Sequence, residues 1–87
     1  MEIKLSLRFQ KSFHVLEAPI QKKTADRLKL FRESNGRNPR LKVHKLHGKQ
    51  HAEWSFMVDY SYRITFVFLK TGEILFTDIG THDKLYT

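Results

Sequence analysis

The sequence predicts a single α+β domain over residues 1–87, with helices packed on one face of an antiparallel sheet. Three observations predict this class. Apolar and polar residues alternate at the N-terminus, as in a half-buried strand. A region with helical spacing of apolar residues follows. The second half then contains three alternating segments separated by residues typical of tight turns.

The N-terminal half is predicted to contain one strand and two helices. Residues 2–9 alternate, which indicates the strand. Ser12 suits the N-cap of a short first helix. Pro19 suits the first turn of a second helix, because its missing N–H needs no partner there. Asn35 and Gly36 are expected to end that helix, since Gly readily adopts the left-handed conformation of a helix C-terminus.

The rest of the chain is predicted to be a loop followed by a three-stranded antiparallel meander. Residues 37–51 are typical of a loop, with a short strand near Leu41–Leu46. Strands are expected in "WSFMVDY", "YRITFVFL" and "EILFTDIG", with turns at Asp59–Ser61 and Lys70–Gly72. The first strand is expected to join this sheet at its edge or at an interior position.

Charge is distributed unevenly along the chain. The net charge is +7; residues 1–50 hold 13 Lys/Arg against 4 Asp/Glu, whereas residues 51–87 hold 3 against 5. A basic half attracts polyanions, and nucleic acid is the first candidate. The alternative is that the basic residues only keep a small protein soluble.

Several classes of protein are disfavoured by what the sequence lacks. No apolar run reaches the roughly 20 residues of a membrane helix, and the N-terminus has no apolar signal-peptide core. We therefore expect a cytoplasmic protein with no membrane partner. The chain has no cysteine, which excludes disulfides and thiolate metal sites.

Three histidines, His44, His47 and His51, cluster in the stretch "KVHKLHGKQHAEW". Their spacing matches neither the i, i+4 pair of a helical zinc protease nor a closed structural zinc site. We therefore expect neither a metal nor a small-molecule cofactor. The stretch is interpreted as a basic loop that faces nucleic acid.

Three motifs, "KLHGK", "WSFMVDYSYRITFVF" and "DIGTHDKLY", together resemble the RelE/ParE superfamily of toxins from bacterial toxin–antitoxin modules. "KLHGK" resembles the family's loop before the central hairpin, and "WSFMVDYSYRITFVF" resembles that hairpin. "DIGTHDKLY" resembles the ending of the YafQ- and YoeB-like branch, with a strand, a Gly turn, a His and a terminal aromatic residue. The resemblance implies a RelE-like fold over most of the chain and a cognate antitoxin as protein partner.

For that branch the resemblance also implies ribosome-dependent endoribonuclease activity on mRNA. The alternative is a non-nucleolytic member, either a ParE-like poison of DNA gyrase or a decayed toxin that only binds its antitoxin. A plain RNA-binding module would fit the charge but not the C-terminal motif.

Metal-independent cleavage of RNA needs groups for two proton transfers and for the charge on the phosphate. Histidine suits the proton transfers because its ordinary pKa, about 6.5, lies near working pH. The planar fork of arginine suits a phosphate, and an aromatic ring can stack on an unstacked base. The resemblance implies four such residues: His82 as general acid or base, His44 as its partner, Arg63 on the phosphate, and Tyr86 on the base or phosphate.

Each of these four residues also has a structural interpretation. His82, expected in a loop after the last strand, could be part of an exposed chain end, and His44 could be a solvated loop histidine. Arg63 could be a surface arginine, and Tyr86 could cap the core.

Five further residues are expected to contact RNA or the ribosome: Arg40, Lys42, Lys45, His47 and Lys49. Several relatives carry lysine in place of His47, which is only partly charged near neutral pH. Lys45 and Lys49 flank it and are expected to supply the charge instead. Ser61 and Tyr62 stand where the YafQ type carries Asp and Trp, so a YafQ-type set of contacts is not expected in full.

Overall fold

The computed structural model describes residues 2–47 and 53–86. In this part of the chain the strands are β1 (Ile3–Leu5), β2 (His44–Lys45), β3 (Trp54–Met57), β4 (Tyr62–Phe68) and β5 (Ile74–Thr81). The helices are α1 (Leu7–His14), α2 (Ala18–Ser34) and α3 (His82–Tyr86), together with a 3₁₀ turn at Pro39–Leu41.

The strands form one mixed sheet in the order β1-β5-β4-β3-β2. β3 pairs antiparallel with β4, and β4 pairs antiparallel with β5, which confirms the predicted meander. β1 lies parallel to β5 at one edge, and β2 lies antiparallel to β3 at the other. The α+β class is therefore confirmed, and the first strand takes an edge position.

The prediction of a strand over residues 2–9 is wrong beyond β1, because α1 begins at Leu7. The Ser6 hydroxyl accepts a hydrogen bond from the Phe9 N–H at 3.0 Å and so caps the helix. The same hydroxyl donates to the Thr77 carbonyl of β5 at 3.0 Å. The alternation of apolar and polar residues extends through Leu7 and Phe9 in the sequence. In the structure, however, these two residues do not share a buried face, because Phe9 is buried and Leu7 is exposed.

α2 begins and ends close to the residues that the sequence indicates. Pro19 lies in its first turn, and Asn35 caps its C-terminus in the left-handed conformation, with φ of 52°. Gly36 follows with φ of 75°, and a Cβ atom there would stand 3.2 Å from the Phe31 ring. Ser12, the predicted N-cap of the first helix, instead lies inside α1.

No helix in the described residues is long and apolar enough to cross a membrane.

A cluster of aromatic rings fills the space between the sheet and the first two helices. Phe31 of α2 packs against Phe56, Phe66 and Phe76, with ring centroids 4.9, 5.5 and 5.5 Å away. Phe9 of α1 packs against Phe76 at 5.7 Å. α1 and α2 therefore cover the same face of the sheet, as predicted.

α3, a third helix that the sequence did not predict, lies on the opposite face, so the layout with helices on one face only is incomplete. Phe56 points toward Phe31, so its neighbour in the strand, Ser55, points to the other side of the sheet. The Ser55 hydroxyl is hydrogen bonded to the Tyr86 hydroxyl of α3 at 2.5 Å. We call the side of the sheet that carries Ser55 the α3 face.

Candidate functional site

The register of the strands brings His44 and Arg63 onto the α3 face. His44 of β2 pairs with Ser55 of β3, and residues directly opposite each other in an antiparallel pair share a face. Arg63 of β4 pairs with Met57, which lies two residues after Ser55 and therefore shares its face. One cleft of about 340 Å³ is lined by Lys42, His44, Met57, Tyr60 and Arg63.

One hydrogen bond determines the neutral tautomer of His44, whose side chain is exposed. Its Nδ1 lies 2.9 Å from the carbonyl oxygen of Lys42. A carbonyl oxygen only accepts hydrogen bonds, so Nδ1 carries the proton and Nε2 carries the lone pair. Lys42 presents this carbonyl from a left-handed backbone conformation, with φ of 51°. The Nε2 atom of His44 is therefore the one that can accept a proton.

The turn between β3 and β4 holds the guanidinium of Arg63. Its Nη1 donates to the carbonyl oxygens of Asp59, Tyr60 and Tyr62, the last two at 3.0 and 3.1 Å. None of the hydrogen bonds found among the described residues uses Nε or Nη2 of this side chain. These two nitrogens lie on one edge of the planar group, where an arginine can bind two oxygens of an anion.

The carboxylate of Asp59 stabilises the same turn. Oδ1 accepts hydrogen bonds from the N–H groups of Ser61 at 2.9 Å and Tyr62 at 2.8 Å, and Oδ2 lies 3.5 Å from Lys23 Nζ of α2. Partial burial raises the pKa of Asp59, but the two backbone hydrogen bonds and the Lys23 charge together lower it below its ordinary value of 3.8. The turn that holds Arg63 is thereby tied to α2.

The C-terminal motif folds as helix α3 and not as the predicted loop. His82 is its first residue, and the His82 N–H donates to the Ser61 carbonyl at 3.3 Å. The His82 ring packs edge-on against the Tyr86 ring one helical turn later, with centroids 4.4 Å apart. Because the Tyr86 hydroxyl is bonded to Ser55, both aromatic side chains stand on the α3 face.

Gly80 does not form the turn expected of it. It lies inside β5, and positive φ angles occur at other glycines of the described chain. A Cβ atom on Gly80 would stand 2.6 Å from Cδ of Lys84. The Lys84 ammonium lies 3.0 Å from the Ser12 hydroxyl, 3.3 Å from the Ile79 carbonyl and 3.7 Å from the Asp78 carboxylate. The missing side chain at Gly80 therefore allows α3 to lie close to β5.

Two polar residues that the sequence did not single out lie on the α3 face. Ser55 is fully buried and bonds to Tyr86. Glu53 accepts a hydrogen bond from the Thr77 hydroxyl at 2.6 Å, and that hydroxyl also lies 2.7 Å from the Thr65 hydroxyl. The available signal was the alternation in "EWSF", where polar residues between apolar ones must point away from the aromatic core.

The basic residues predicted to contact RNA have different surroundings. Lys42 lines the same cleft as His44. Lys45 pairs with Trp54, and so its side chain points to the side of the sheet opposite the α3 face. Arg40 lies in the 3₁₀ turn and lines another cleft, of about 500 Å³, beside α2. The structure therefore brings one of these three lysine and arginine side chains, that of Lys42, to the candidate catalytic residues.

The histidine-rich stretch is only partly described. His44 lies in β2, and His47 is exposed after it. Lys49 and His51 fall outside the described residues, so the proposed RNA contact of Lys49 stays a prediction. Within residues 2–47 and 53–86, no three His, Asp or Glu side chains form a group that could hold a metal ion.

The fold is similar to those of several solved toxin structures. A histidine-to-glutamine mutant of YafQ from E. coli superposes with a TM-score of 0.80 at 17% identity, covering 99% of this chain and 98% of that one. A chain of the E. coli DinJ–YafQ toxin–antitoxin complex gives 0.75 at 18% identity, covering 99% and 97%. A chain of the RelB–RelE antitoxin–toxin complex from Methanococcus jannaschii gives 0.73 at 19%, covering 95% and 94%.

No protein-family model and no curated protein sequence matches this chain. The sequence identity to the structures named above is only 17–19%, so the similarity shows a shared fold and does not by itself show a shared function. That fold is the one adopted by the toxin structures named above.

Proposed function

We propose that this chain is the toxin of a toxin–antitoxin module of the RelE/ParE type, and that it cleaves mRNA on the ribosome. The observation that supports this most directly is the placement of His44, Arg63, His82 and Tyr86. These residues come from β2, β4 and α3, and their side chains share one face of the sheet. The fold and the basic first half of the chain agree with the proposal.

The proposed reaction is an internal transesterification of the RNA. Nε2 of His44 accepts the proton of the ribose 2′-OH, and the 2′-oxygen forms a bond to the neighbouring phosphorus. The bond from that phosphorus to the 5′-oxygen breaks, and protonated His82 donates a proton to the departing oxygen. The products are a 2′,3′-cyclic phosphate and a free 5′-hydroxyl, and these steps require no metal ion or organic cofactor.

Arg63 and Tyr86 act on the charge and the position of the substrate. Nε and Nη2 of Arg63 bind the scissile phosphate, where they stabilise the charge that develops in the transition state. The hydroxyl of Tyr86 is already bonded to Ser55, so its ring is the part that meets the substrate. Stacking of a base on that ring would hold the nucleotide next to the phosphate.

We assign the basic residues to two sets of contacts, one with the mRNA substrate and one with the ribosome. Lys42 lines the cleft and contacts the mRNA strand. Arg40 and Lys45, which lie beside α2 and on the other side of the sheet, contact ribosomal RNA. His47, which is exposed after β2, is proposed to contact RNA as well, and Lys49, which lies outside the described residues, stays a predicted contact.

The partner we propose is a cognate antitoxin in the cytoplasm. Two of the similar structures are toxin–antitoxin complexes, DinJ–YafQ and RelB–RelE. An acidic segment that folds on binding would complement the 13 Lys/Arg in residues 1–50. Co-expression with a protein encoded by a neighbouring reading frame should relieve growth arrest and yield a stable complex.

The decisive experiment is cleavage of mRNA by the purified chain on programmed ribosomes. The cut should leave a cyclic phosphate and a 5′-hydroxyl, and His82→Ala and Arg63→Ala should each slow cleavage by about 10²- to 10⁴-fold. His14→Ala is the matched control, since His14 is exposed on α1 and does not line the cleft. Circular dichroism should show that all variants keep the fold.

Two results would contradict the proposal. A 5′-phosphate on the product would mean that water is the nucleophile. Growth arrest with intact mRNA, unaffected by His82→Ala, would support the non-nucleolytic alternative, such as a gyrase poison.

A further inference from the structure

We propose that Ser55 is a positioning residue that orients His82 through Tyr86. The inference rests on the proposed ribonuclease function and adds to it a residue in the middle of the sheet. Three features of the molecule support this role: Ser55 is buried, α3 is short, and the His82 ring contacts the Tyr86 ring.

Ser55 is a rigid point of attachment. Its side chain has 0% exposure, and its hydroxyl lies 2.5 Å from the Tyr86 hydroxyl. Its backbone lies in β3, which pairs with β2 on one side and β4 on the other, where Ser55 stands opposite His44 and Thr65. A residue paired on both sides in a sheet moves little, so its hydroxyl offers a fixed acceptor and donor.

α3 depends on such attachments for its orientation. The helix has five residues, too few to be stable without tertiary contacts. Lys84 connects it to β5 through the Asp78 carboxylate and the Ile79 carbonyl. Tyr86 connects its last residues to β3 through Ser55. Removal of the Ser55 hydroxyl leaves the contact with β5 but releases the ring of Tyr86.

The Tyr86 ring in turn determines the rotamer of His82. The His82 side chain is 66% exposed, and its ring packs on Tyr86 with centroids 4.4 Å apart. Its Nδ1 atom also lies 3.9 Å from the Asp83 carboxylate, which is 98% exposed. A solvent-exposed ion pair restrains a side chain only weakly, so the orientation of the His82 ring depends mainly on its contact with the Tyr86 ring.

Through Ser55, the positions of both candidate proton-transfer residues, His44 and His82, depend on the single strand β3. It fixes β2, and so His44, through backbone pairing. It fixes Tyr86, and so His82, through its side chain. A shift of about 1 Å between groups that act together can slow a reaction by about 10²-fold, so loss of this attachment should be visible in the rate.

The test uses Ser55→Ala and Tyr86→Phe, each of which removes one hydroxyl of the same hydrogen bond. Ser34→Ala is the control, since the Ser34 hydroxyl bonds to the Leu30 carbonyl within α2 at 2.7 Å. The first readout is the NMR shift of the His82 ring protons, which the Tyr86 ring displaces. Both variants should move these shifts toward random-coil values, and Ser34→Ala should leave them unchanged.

The second readout is single-turnover cleavage on ribosomes. Each variant should cleave about 10- to 100-fold more slowly, and the double variant should be no slower than either single one, because the same bond is lost. Tyr86→Phe removes the bond without a buried cavity, so it serves if Ser55→Ala fails to fold.

The two readouts separate the inference from the proposed function. Unchanged His82 shifts in a folded Tyr86→Phe variant overturn the positioning role, whether or not the chain cleaves RNA. Changed shifts with a normal cleavage rate overturn it as well. Changed His82 shifts in the two variants, together with no cleavage of RNA by the wild-type chain, support the positioning of His82 and refute the ribonuclease.

Discussion

Backbone carbonyl oxygens orient both candidate residues of the cleft. His44 donates to the Lys42 carbonyl, and Arg63 donates to the carbonyls of the β3–β4 turn. Substitution of neighbouring side chains does not remove these acceptors. His82 differs, because its ring packs on another side chain, that of Tyr86. Loss of a neighbouring side chain should therefore disturb His82 more than the other two.

Gly80→Ala should lower the free energy of unfolding by roughly 0.5–3 kcal/mol, the usual range for a single substitution. The added methyl group would collide with Lys84 and displace it from Asp78 and Ser12. Urea unfolding monitored by Trp54 fluorescence measures the change. In a Lys84→Ala background the collision is absent, so Gly80→Ala should then be neutral or stabilising, as expected for a strand glycine. Equal losses in both backgrounds would contradict this role of Gly80.

At the scale of elements, the β3–β4 turn joins the cleft to α2, and its charge makes that connection dependent on pH. The folded chain lowers the pKa of Asp59 below the ordinary 3.8. A lowered pKa means that the ionised form binds its partners more strongly in the folded state. The stabilisation is therefore present above the unfolded value and is lost as pH falls through the folded value.

Asp59→Asn should reduce stability at pH 7 and flatten its dependence on pH below about pH 4, the region of the ordinary carboxyl pKa. Asn keeps an oxygen that can accept from Ser61 and Tyr62 but loses the charge that attracts Lys23. Unfolding in urea between pH 3 and pH 7 measures both effects. Asp26→Asn, on the exposed surface of α2, is the control. An unchanged slope in Asp59→Asn would refute this assignment.

The elements that local sequence determines were predictable, and those that depend on distant contacts were not. The meander follows from alternation and turn residues, and α2 follows from Pro19 and from Asn35 with Gly36. The boundary at Ser6 was missed because apolar residues continue the alternation of β1 into α1. α3 was missed because a five-residue helix has no clear periodicity and depends on β3 and β5.

The candidate site shows the same division. The chemistry proposed for His44, Arg63, His82 and Tyr86 rests on residue type and on the resemblance. That their side chains share a face required the register of β2, β3 and β4, which no local pattern specifies. No motif in the sequence indicates a role for the Ser55 hydroxyl, and the positioning role proposed for it rests on its contact with Tyr86.

At the scale of the whole molecule, positive charge lies on both sides of the sheet. Substitution on one side at a time can therefore distinguish a specific contact of the cleft with RNA from non-specific attraction of RNA by the net charge. Lys42→Ala should lower the slope of log affinity against log salt for a short single-stranded RNA by about 0.7, the value for one phosphate contact. Lys45→Ala removes the same charge from the other side of the sheet and should change that slope less. Filter binding between low and physiological salt distinguishes them. Equal changes would mean that net charge, and not the cleft, attracts RNA.

The alternation within the strands has an evolutionary consequence. Phe56, Ile64 and Phe66 fill the core, while Ser55 and Arg63, beside them in the same strands, point to the α3 face. Under the function proposed above, selection for folding and selection for RNA cleavage therefore act on alternate residues. Under the same proposal, a lineage can lose RNA cleavage by one substitution at Arg63 and keep a folded chain. Such a descendant would still bind the proposed antitoxin and so free active copies of the chain from it, which makes an inactive copy dominant in its effect.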